Sequence, residues 1–222
     1  MIRLDQVTKS YMTLNGRFFV FQDLSFEVPE EVNVGLIGRN GAGKSTLMRL
    51  LSAVEPPDSG KIITRGRLSW PVGLKGGIQK NLTGRDNVKF VCRIQGLRKA
   101  KMQEKIRYVR EFADIGEYFD QPVSIYSSGM QARLAFGTSM AFDFDYYLID
   151  EVMAVGDASF KRKSRQVFKE RLRKSKVILV SHNMKFIRRM CDVVVHLEHG
   201  RAIVYGDVNK GIAAYRKSGG EP

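Results

Sequence analysis

The sequence predicts an α/β fold built around a parallel sheet, and three observations support this. Short apolar runs alternate along the chain with segments whose apolar residues recur at helical spacing. The runs at 32–37, 146–149, 177–180 and 193–197 are almost wholly apolar, as expected for strands buried on both faces. A glycine-rich turn separates the first of these runs from a helix predicted over residues 44–54.

The remaining elements follow from the same spacing. Residues 2–7 and 18–28 are predicted strands of an N-terminal sheet, and residues 61–69 are strand-like. Residues 198–201 form a predicted hairpin turn. The other predicted helices span residues 85–96, 99–113, 129–141 and 208–216.

Composition limits the protein to one sizeable core. The chain has 222 residues, 43% of them hydrophobic, and no apolar run approaches the roughly 18 residues that span a bilayer. Its start carries no apolar signal region, and Cys92 and Cys191 fit no metal or redox spacing. We therefore expect a single domain in the cytoplasm, with reduced thiols.

Basic residues dominate the segment 161–176, which contributes much of the net charge of +14. Such a run is often a solvated helix face. It can also attract an anionic surface, such as acidic lipid head groups, an acidic polymer or nucleic acid. Charge alone leaves both interpretations open.

The strongest motif is Gly-Arg-Asn-Gly-Ala-Gly-Lys-Ser at residues 38–45, a phosphate loop. Its glycines let backbone N–H groups converge on phosphate oxygens, and the following helix adds a positive dipole of about half a unit charge. Lys44 would reach the β- and γ-phosphates, Ser45 would ligate Mg²⁺, and Thr46 would bind the α-phosphate. The predicted phosphate-binding residues are Gly38, Asn40, Gly41, Gly43, Lys44, Ser45 and Thr46.

Two other predicted strands end in polar residues. The run at 146–149 is followed by Asp150 and Glu151, and the run at 177–180 is followed by Ser181 and His182. Asp150 would hold Mg²⁺ through water, Glu151 would polarise the attacking water, and His182 would contact the γ-phosphate. Solvated acids and a structural histidine are the alternatives. Because ligands bind outside the carboxyl ends of strands in such sheets, we favour a hydrolytic site.

Together these residues resemble the ATP-binding subunit of an ABC transporter over nearly the full chain. The segments occur in the family's order: phosphate loop, signature at 126–130, Asp150-Glu151, a D-loop at 154–157, and His182. The resemblance implies one nucleotide-binding domain spanning residues 1–222. It implies a P-loop NTPase (RecA-like) core with an N-terminal antiparallel β-subdomain and an inserted α-helical subdomain at roughly 82–142. It also implies ATP and Mg²⁺ as cofactors.

The resemblance assigns further roles. Tyr11 lies where the family has an aromatic that stacks on adenine, although ordinary packing is an alternative. Asp157 closes the segment that resembles the D-loop. The family's glutamine that couples Mg²⁺ to the membrane partner would fall near Leu74, whereas the available glutamine is Gln79. Which of the two takes that role stays open.

The signature reads Tyr-Ser-Ser-Gly-Met instead of the usual Leu-Ser-Gly-Gly-Gln. Ser127 and Gly129 are retained and open a predicted helix, while Met130 lacks the family's terminal amide. The resemblance implies a head-to-tail homodimer in which this segment contacts the γ-phosphate held by the other subunit. A lone subunit should then hydrolyse ATP poorly.

Segments at 69–74, 82–87 and 126–130 resemble the branch that exports bacterial cell-surface polysaccharides, and capsular polysaccharide in particular. Only a hairpin and one helix follow His182, so the carbohydrate-binding domain that O-antigen exporters often append is not expected. This branch implies a peripheral position on the cytoplasmic face of the inner membrane. Expected partners are two copies of an integral membrane permease and a periplasmic or inner-membrane polysaccharide co-polymerase.

Other functions remain as alternatives. The cargo could be another surface glycopolymer, such as O-antigen or teichoic acid. The net charge favours a nucleic-acid-acting ABC ATPase, but the chain lacks the coiled coil, zinc sites or second cassette that such proteins usually need, so no nucleic-acid partner is expected. A nucleotide-gated module without hydrolysis is a third alternative.

Overall fold

The computed structural model describes residues 1–72, 78–150 and 157–220. Leu74, Glu151 and residues 154–156 therefore lie outside the described residues. The chain forms two compact units. The first comprises Met1–Pro71, Phe144–Glu151 and Ser175–Pro222, and the second comprises Val72–Asp143 and Val152–Lys174. The second unit thus includes a segment beyond the residues 82–142 of the predicted helical subdomain.

The first unit contains two sheets and confirms the predicted α/β class. An antiparallel sheet has the order β2-β1-β4, with β1 at Ile2–Thr13, β2 at Gly16–Val28 and β4 at Ser59–Thr64. The second sheet has the order β5-β6-β3-β7-β8 and is parallel except for β8, which pairs with β7 as the predicted hairpin. Its strands are β3 (Val34–Ile37), β5 (Tyr146–Asp150), β6 (Lys176–Val180), β7 (Val193–Glu198) and β8 (Arg201–Tyr205).

The core of the first unit lies where the two sheets and helix α1 (Lys44–Leu51) meet. Leu36, Leu47, Leu148, Ile178 and Val195 are all buried in one apolar cluster. Residues 34–37 of β3 and 177–180 of β6 are all buried, so both faces of these strands are covered, which explains their apolar sequences. Helices α6 (Met184–Met190) and α7 (Val208–Lys217) complete the unit, so two helices follow His182 where the sequence predicted one.

Helices α2 (Gly84–Ile94), α3 (Lys99–Ala113), α4 (Ser128–Met140) and α5 (Ala158–Arg171) form the second unit. An aromatic cluster joins three of them. The ring of Phe112 lies 5.7 Å from that of Phe136 and 5.4 Å from that of Phe160, centroid to centroid. Such pairs add to the stability that area burial provides.

Several predicted boundaries are wrong for identifiable reasons. Strand β1 does not end at residue 7, because a bulge near Gln6, whose φ is +49°, breaks the alternation while strand pairing continues to Thr13. The helix predicted over 44–54 ends at Leu51, and Ala53 adopts a left-handed φ of +54°. The strand predicted over 61–69 ends at Thr64, before the turn at Gly66.

Candidate functional site

The phosphate loop connects β3 to α1, and the packing of the chain itself requires two of its glycines. A Cβ at Gly38 would lie 2.5 Å from the carbonyl oxygen of Leu197. Gly43 has a φ of +95°, and a Cβ there would lie 2.6 Å from the ring of Phe21. At Gly38 and Gly43 the backbone of the loop packs so closely against β7 and β2 that only glycine fits. This packing fixes the loop and holds its N–H groups at the start of α1.

Helix α1 positions the next three predicted residues. The Lys44 ammonium donates to the carbonyl oxygens of Gly38 (2.6 Å) and Arg39 (3.0 Å), so it lies over the loop. Ser45 is exposed at the helix start, whereas Thr46 is buried and its hydroxyl accepts a hydrogen bond from Arg49 at 3.3 Å. Lys44 and Ser45 thus lie at the mouth of the loop. Asn40 and Gly41 are exposed at its tip.

The carboxyl ends of three neighbouring strands bring the other predicted groups to the same edge of the sheet. In the parallel register, Leu36 of β3 lies beside Val180 of β6, and Val180 lies beside Asp150 of β5. Because strands are spaced about 4.8 Å apart, Asp150 ends its strand about 10 Å from the end of β3. His182 follows β6 and lies between them in strand order. Glu151, the predicted base, lies outside the described residues.

Tyr11 lies on β1 and is held by its hydroxyl. The hydroxyl donates to Glu55 Oε2 at 2.6 Å and accepts from Arg49 Nη2 at 3.0 Å. The side chain is half-buried. Sequence reasoning proposed the aromatic ring but missed Arg49 and Glu55, which are 38 and 44 residues away in the chain and form no local motif with it.

A cavity of about 690 Å³ borders the loop residues Arg39–Ala42, β2 and the β7–β8 hairpin. Sequence reasoning passed over His196 in its wall, because a histidine in an apolar strand gives no signal. Its ring is buried, and neither ring nitrogen has a hydrogen-bond partner among the described residues. Burial lowers the pKa of His196 below its usual value, which favours the neutral ring and an uncharged wall at that point.

Ser127 and Gly129 belong to the second unit, where they open α4 as predicted. The Ser127 hydroxyl caps the helix by accepting from the N–H of Met130 at 3.2 Å. Among the described residues, the atom nearest to a Cβ at Gly129 would be the Ser127 hydroxyl oxygen, at 3.8 Å. The packing of these residues therefore does not require this glycine.

Asp157 also lies in the second unit, and its carboxylate serves a helix start. One oxygen accepts from the N–H groups of Ser159 and Phe160, both at 2.9 Å, and the other pairs with Arg133 of α4. These hydrogen bonds hold the pKa of Asp157 far below its usual value. Asp157 thus caps α5 and ties it to the signature helix.

Gln79, the predicted Mg²⁺-coupling residue, has an exposed side chain in the second unit. Its backbone is fixed by Asn87, whose side chain accepts from the Gln79 N–H at 2.7 Å and donates to its carbonyl at 3.0 Å. Leu74 lies outside the described residues, so the choice between the two stays a prediction.

The basic segment forms most of α5, and two of its cations have structural roles that the sequence did not suggest. Lys163 donates to the carbonyl oxygens of Glu111 and Phe112 at the end of α3. Arg171 donates to the carbonyl of Met140 at the end of α4 and pairs with Asp143. Cations at helix C-termini are stabilising, so part of the positive charge of this segment caps the C-terminal ends of α3 and α4.

Comparison with known proteins gives consistent results. Residues 21–154 match the ABC transporter family. The chain is 52% identical over 217 residues to the polysialic acid transport ATP-binding protein KpsT of Escherichia coli, covering 97% of this chain and 96% of that protein. It is 43% identical over 219 residues to the capsule polysaccharide export ATP-binding protein CtrD of Neisseria meningitidis serogroup B, covering 97% and 98%.

A solved structure shares the fold. It is a dimeric ATP-binding cassette in a post-hydrolysis state, bound to ADP and Pi, and it superposes with a TM-score of 0.71. The match covers 92% of this chain and 98% of that chain at 19% sequence identity. At that identity, the likeness concerns the fold alone.

Proposed function

This chain belongs to the ABC transporter family, and from that premise we propose that it is the ATP-hydrolysing subunit of a capsular polysaccharide exporter. It would drive the polymer across the inner membrane through a separate membrane subunit. The observation that carries the proposal is the near full-length similarity to proteins named for polysialic acid transport and capsule polysaccharide export. The similarity supports capsular polymer over other surface glycopolymers as the cargo.

The phosphate loop supports the nucleotide part of the proposal. The Gly38 and Gly43 backbone leaves no room for a side chain, and Lys44 lies over the loop. Triphosphate oxygens would accept from the loop N–H groups and from Lys44, which would exchange its carbonyl partners for phosphate. Tyr11 would stack on the adenine, and Thr46 would bind the α-phosphate.

The neighbouring strand ends suit Mg²⁺ and an attacking water. Mg²⁺ prefers oxygen ligands and keeps several waters, which fits the exposed Ser45 hydroxyl and the Asp150 carboxylate, with phosphate oxygens completing the set. The ion would neutralise charge on the phosphates. Glu151 would accept a proton from water as it attacks the γ-phosphorus, and His182 would contact the γ-phosphate.

The signature segment supports a homodimer. Gly129 has space for a Cβ that none of the described residues fills, and Ser127 and Gly129 open a helix whose positive end suits a phosphate. In a head-to-tail pair, this segment would approach the γ-phosphate bound by the other subunit, and Asp157 would fix the signature helix through Arg133. The active site would then require two copies of the chain.

Exposed apolar side chains of the second unit support a membrane partner. Phe90 and Ile94 of α2 are 42% and 65% exposed, and Ile125 is 57% exposed. We assign these apolar side chains to contacts with two permease subunits, with Gln79 or Leu74 as the residue that couples Mg²⁺ to them, and place a polysaccharide co-polymerase in the same assembly. Among the described residues no helix is long and apolar enough to span a membrane. Binding to the permease would place the chain at the cytoplasmic face.

The decisive experiment replaces Glu151 with Gln in the chain assembled with its permease in proteoliposomes. We expect Glu151→Gln to lower ATP-dependent phosphate release by about 10²- to 10⁴-fold, because the general base is lost. The matched control is Glu104→Gln, which removes an exposed carboxylate of α3 and should leave the rate unchanged. If Glu151→Gln releases phosphate at the wild-type rate, Glu151 is not the general base.

The cargo needs a separate measurement. Expression of the chain with its permease in a capsule-deficient export mutant should restore surface capsular polymer, and Glu151→Gln should not. Restoration of O-antigen or teichoic acid instead would change the assigned cargo. Tight DNA binding that weakens steeply with salt, without membrane association, would favour the nucleic-acid alternative.

A further inference from the structure

Tyr11, Arg49 and Glu55 form a closed triangle of contacts in the first unit. The Tyr11 hydroxyl donates to Glu55 Oε2 at 2.6 Å and accepts from Arg49 Nη2 at 3.0 Å. The third side is an ion pair, with Arg49 Nε 2.8 Å from Glu55 Oε1. The polar end of the tyrosine is thus fixed by one cation and one anion.

A second layer surrounds the triangle. The Lys9 ammonium lies 4.0 Å from Glu55 Oε2, 3.5 Å from Asp58 Oδ1 and 5.4 Å from the centroid of the Tyr11 ring. Asp58 accepts from both the N–H and the hydroxyl of Ser10, the residue before Tyr11. The backbone of Ser10 and the side chain of Tyr11 are therefore held from the same cluster.

The triangle connects Tyr11 to the phosphate loop. Arg49 also donates to the hydroxyl of Thr46, in the first turn of the helix that the loop opens. The hydrogen bond from Tyr11 and the charge of Arg49 hold the pKa of Glu55 below its usual value, so this carboxylate is ionised at neutral pH. The ring is thus held at a set place relative to the residues predicted to bind phosphate.

Such a cluster contributes little to stability, because half-exposed ion pairs are weak. Its effect on a ligand can be larger. A tyrosine side chain that is already fixed loses less rotational freedom when a base stacks on it. The smaller loss of conformational entropy makes binding of the base tighter. This benefit concerns the base of a nucleotide and not its phosphates.

We propose that Arg49 and Glu55 are positioning residues that hold Tyr11 for stacking and thereby set the affinity for adenine. The inference rests on the proposed function, because it requires that this chain binds ATP. Neither residue touches the adenine in this proposal; both act on it through the Tyr11 hydroxyl, and Arg49 also donates to Thr46, which is predicted to bind phosphate. A substitution of Glu55 should therefore weaken binding of ATP without weakening binding of a ligand that has phosphates alone, and a substitution of Arg49 should weaken binding of ATP by the larger factor.

The test compares ATP with inorganic tripolyphosphate by titration calorimetry on the full chain. We expect Tyr11→Ala to weaken ATP binding by about 5- to 150-fold, the range for aromatic–base stacking. Tyr11→Phe, Glu55→Gln and Arg49→Met should each weaken it by about three- to tenfold, because they leave the ring but release it. Tripolyphosphate affinity should stay within about twofold in Tyr11→Ala, Tyr11→Phe and Glu55→Gln, which also shows that the phosphate loop is folded. Arg49→Met also removes the hydrogen bond to Thr46, so for this variant the loss of ATP affinity should exceed any loss of tripolyphosphate affinity.

Two further comparisons separate positioning from general damage. Arg65 and Glu30 form an exposed ion pair in the same unit, so Arg65→Met and Glu30→Gln are matched controls that should leave both affinities unchanged. The double variant Tyr11→Phe with Glu55→Gln should bind ATP as weakly as either single variant, because both changes remove the same hydrogen bond.

The outcomes distinguish this inference from its premise. A wild-type chain that binds neither ATP nor tripolyphosphate would overturn the proposed function itself. If Tyr11→Ala lowers ATP affinity while Glu55→Gln and Arg49→Met do not, stacking stands and the positioning role is wrong. Equal losses for ATP and tripolyphosphate would also overturn the positioning role, because the cluster would then support the phosphate loop.

Discussion

The phosphate loop in the first unit and the signature segment in the second both contain glycine, but only the first shows a packing reason for it. A Cβ at Gly38 would lie 2.5 Å from the carbonyl oxygen of Leu197, whereas the described atom nearest to a Cβ at Gly129 would be the Ser127 hydroxyl, at 3.8 Å. The described residues of this chain therefore require the first glycine and not the second. In the proposed dimer, a requirement for the second glycine would come from the partner subunit.

This difference explains how each half of the proposed site is built. The loop is formed by folding alone, because β7 and β2 close on its glycines. The signature segment is a capped helix start at which Ser127 and Ser128 are exposed, which leaves space for an approaching group. Stability and activity should therefore respond together in the first unit and separately in the second.

The largest expected effect comes from Gly38→Ala. The new methyl would overlap the Leu197 carbonyl oxygen, which belongs to a buried strand and cannot move aside. We expect a loss of roughly 1–3 kcal/mol in unfolding free energy, with loss of ATP binding, measured by urea denaturation and calorimetry. Gly206→Ala is the control, because a Cβ there would meet no described atom within 4 Å, so the unfolding free energy and the ATP affinity should both stay unchanged. A stable Gly38→Ala variant that binds ATP normally would contradict this account of the loop.

The elements that sequence reasoning predicted well are those with local signals. The phosphate loop has a fixed motif, and the buried strands have unbroken apolar sequences, so the loop and the ends of β5 and β6 were placed correctly. Helix α3 matches its predicted span, Lys99–Ala113. The basic segment was interpreted as a solvated helix face or as a surface that attracts anions, and most of it does form helix α5. The bounds of this helix were not predicted, because its apolar positions at Phe160 and Phe168 are widely spaced among cations.

The elements that were missed depend on distant contacts. The bulge at Gln6 shifts the pattern of β1, so the strand that carries Tyr11 was predicted to end before it. Arg49 and Glu55 meet Tyr11 only after β1 has packed beside α1 and the turn that follows it. The order of the strands in each sheet likewise depends on contacts along the whole chain, and the periodicity of a local segment does not predict it.

Gly129→Ala should separate stability from activity. Alanine favours a helix over glycine by about 0.5–1 kcal/mol, so unfolding free energy should rise slightly or hold. Phosphate release by the assembled transporter should fall about tenfold or more, because the methyl would displace the partner-held phosphate from backbone donors whose charged hydrogen bonds are worth about 1.5–3 kcal/mol.

A second glycine of the same helix provides the matched control for Gly129→Ala. A Cβ at Gly137 would lie 2.9 Å from the ring of Phe112, so Gly137→Ala should destabilise the second unit without contacting the signature segment. In a thermal melt, we expect Gly137→Ala to lower the melting temperature and Gly129→Ala to leave it unchanged or raise it slightly. Unchanged phosphate release in Gly129→Ala would show that nothing outside the chain requires this glycine.

The smallest expected effect concerns two helix caps of the second unit. Ser127 accepts from Met130 N–H at 3.2 Å, and Thr83 accepts from Asp86 N–H at 3.0 Å at the start of α2. Replacing either with Ala should lower unfolding free energy by about 1 kcal/mol. Only Ser127→Ala should also slow phosphate release, because only that hydroxyl would face the nucleotide of the partner subunit. If Thr83→Ala slows phosphate release equally, activity depends on the stability of the second unit. Ser127 would then have no separate role toward the nucleotide of the partner subunit.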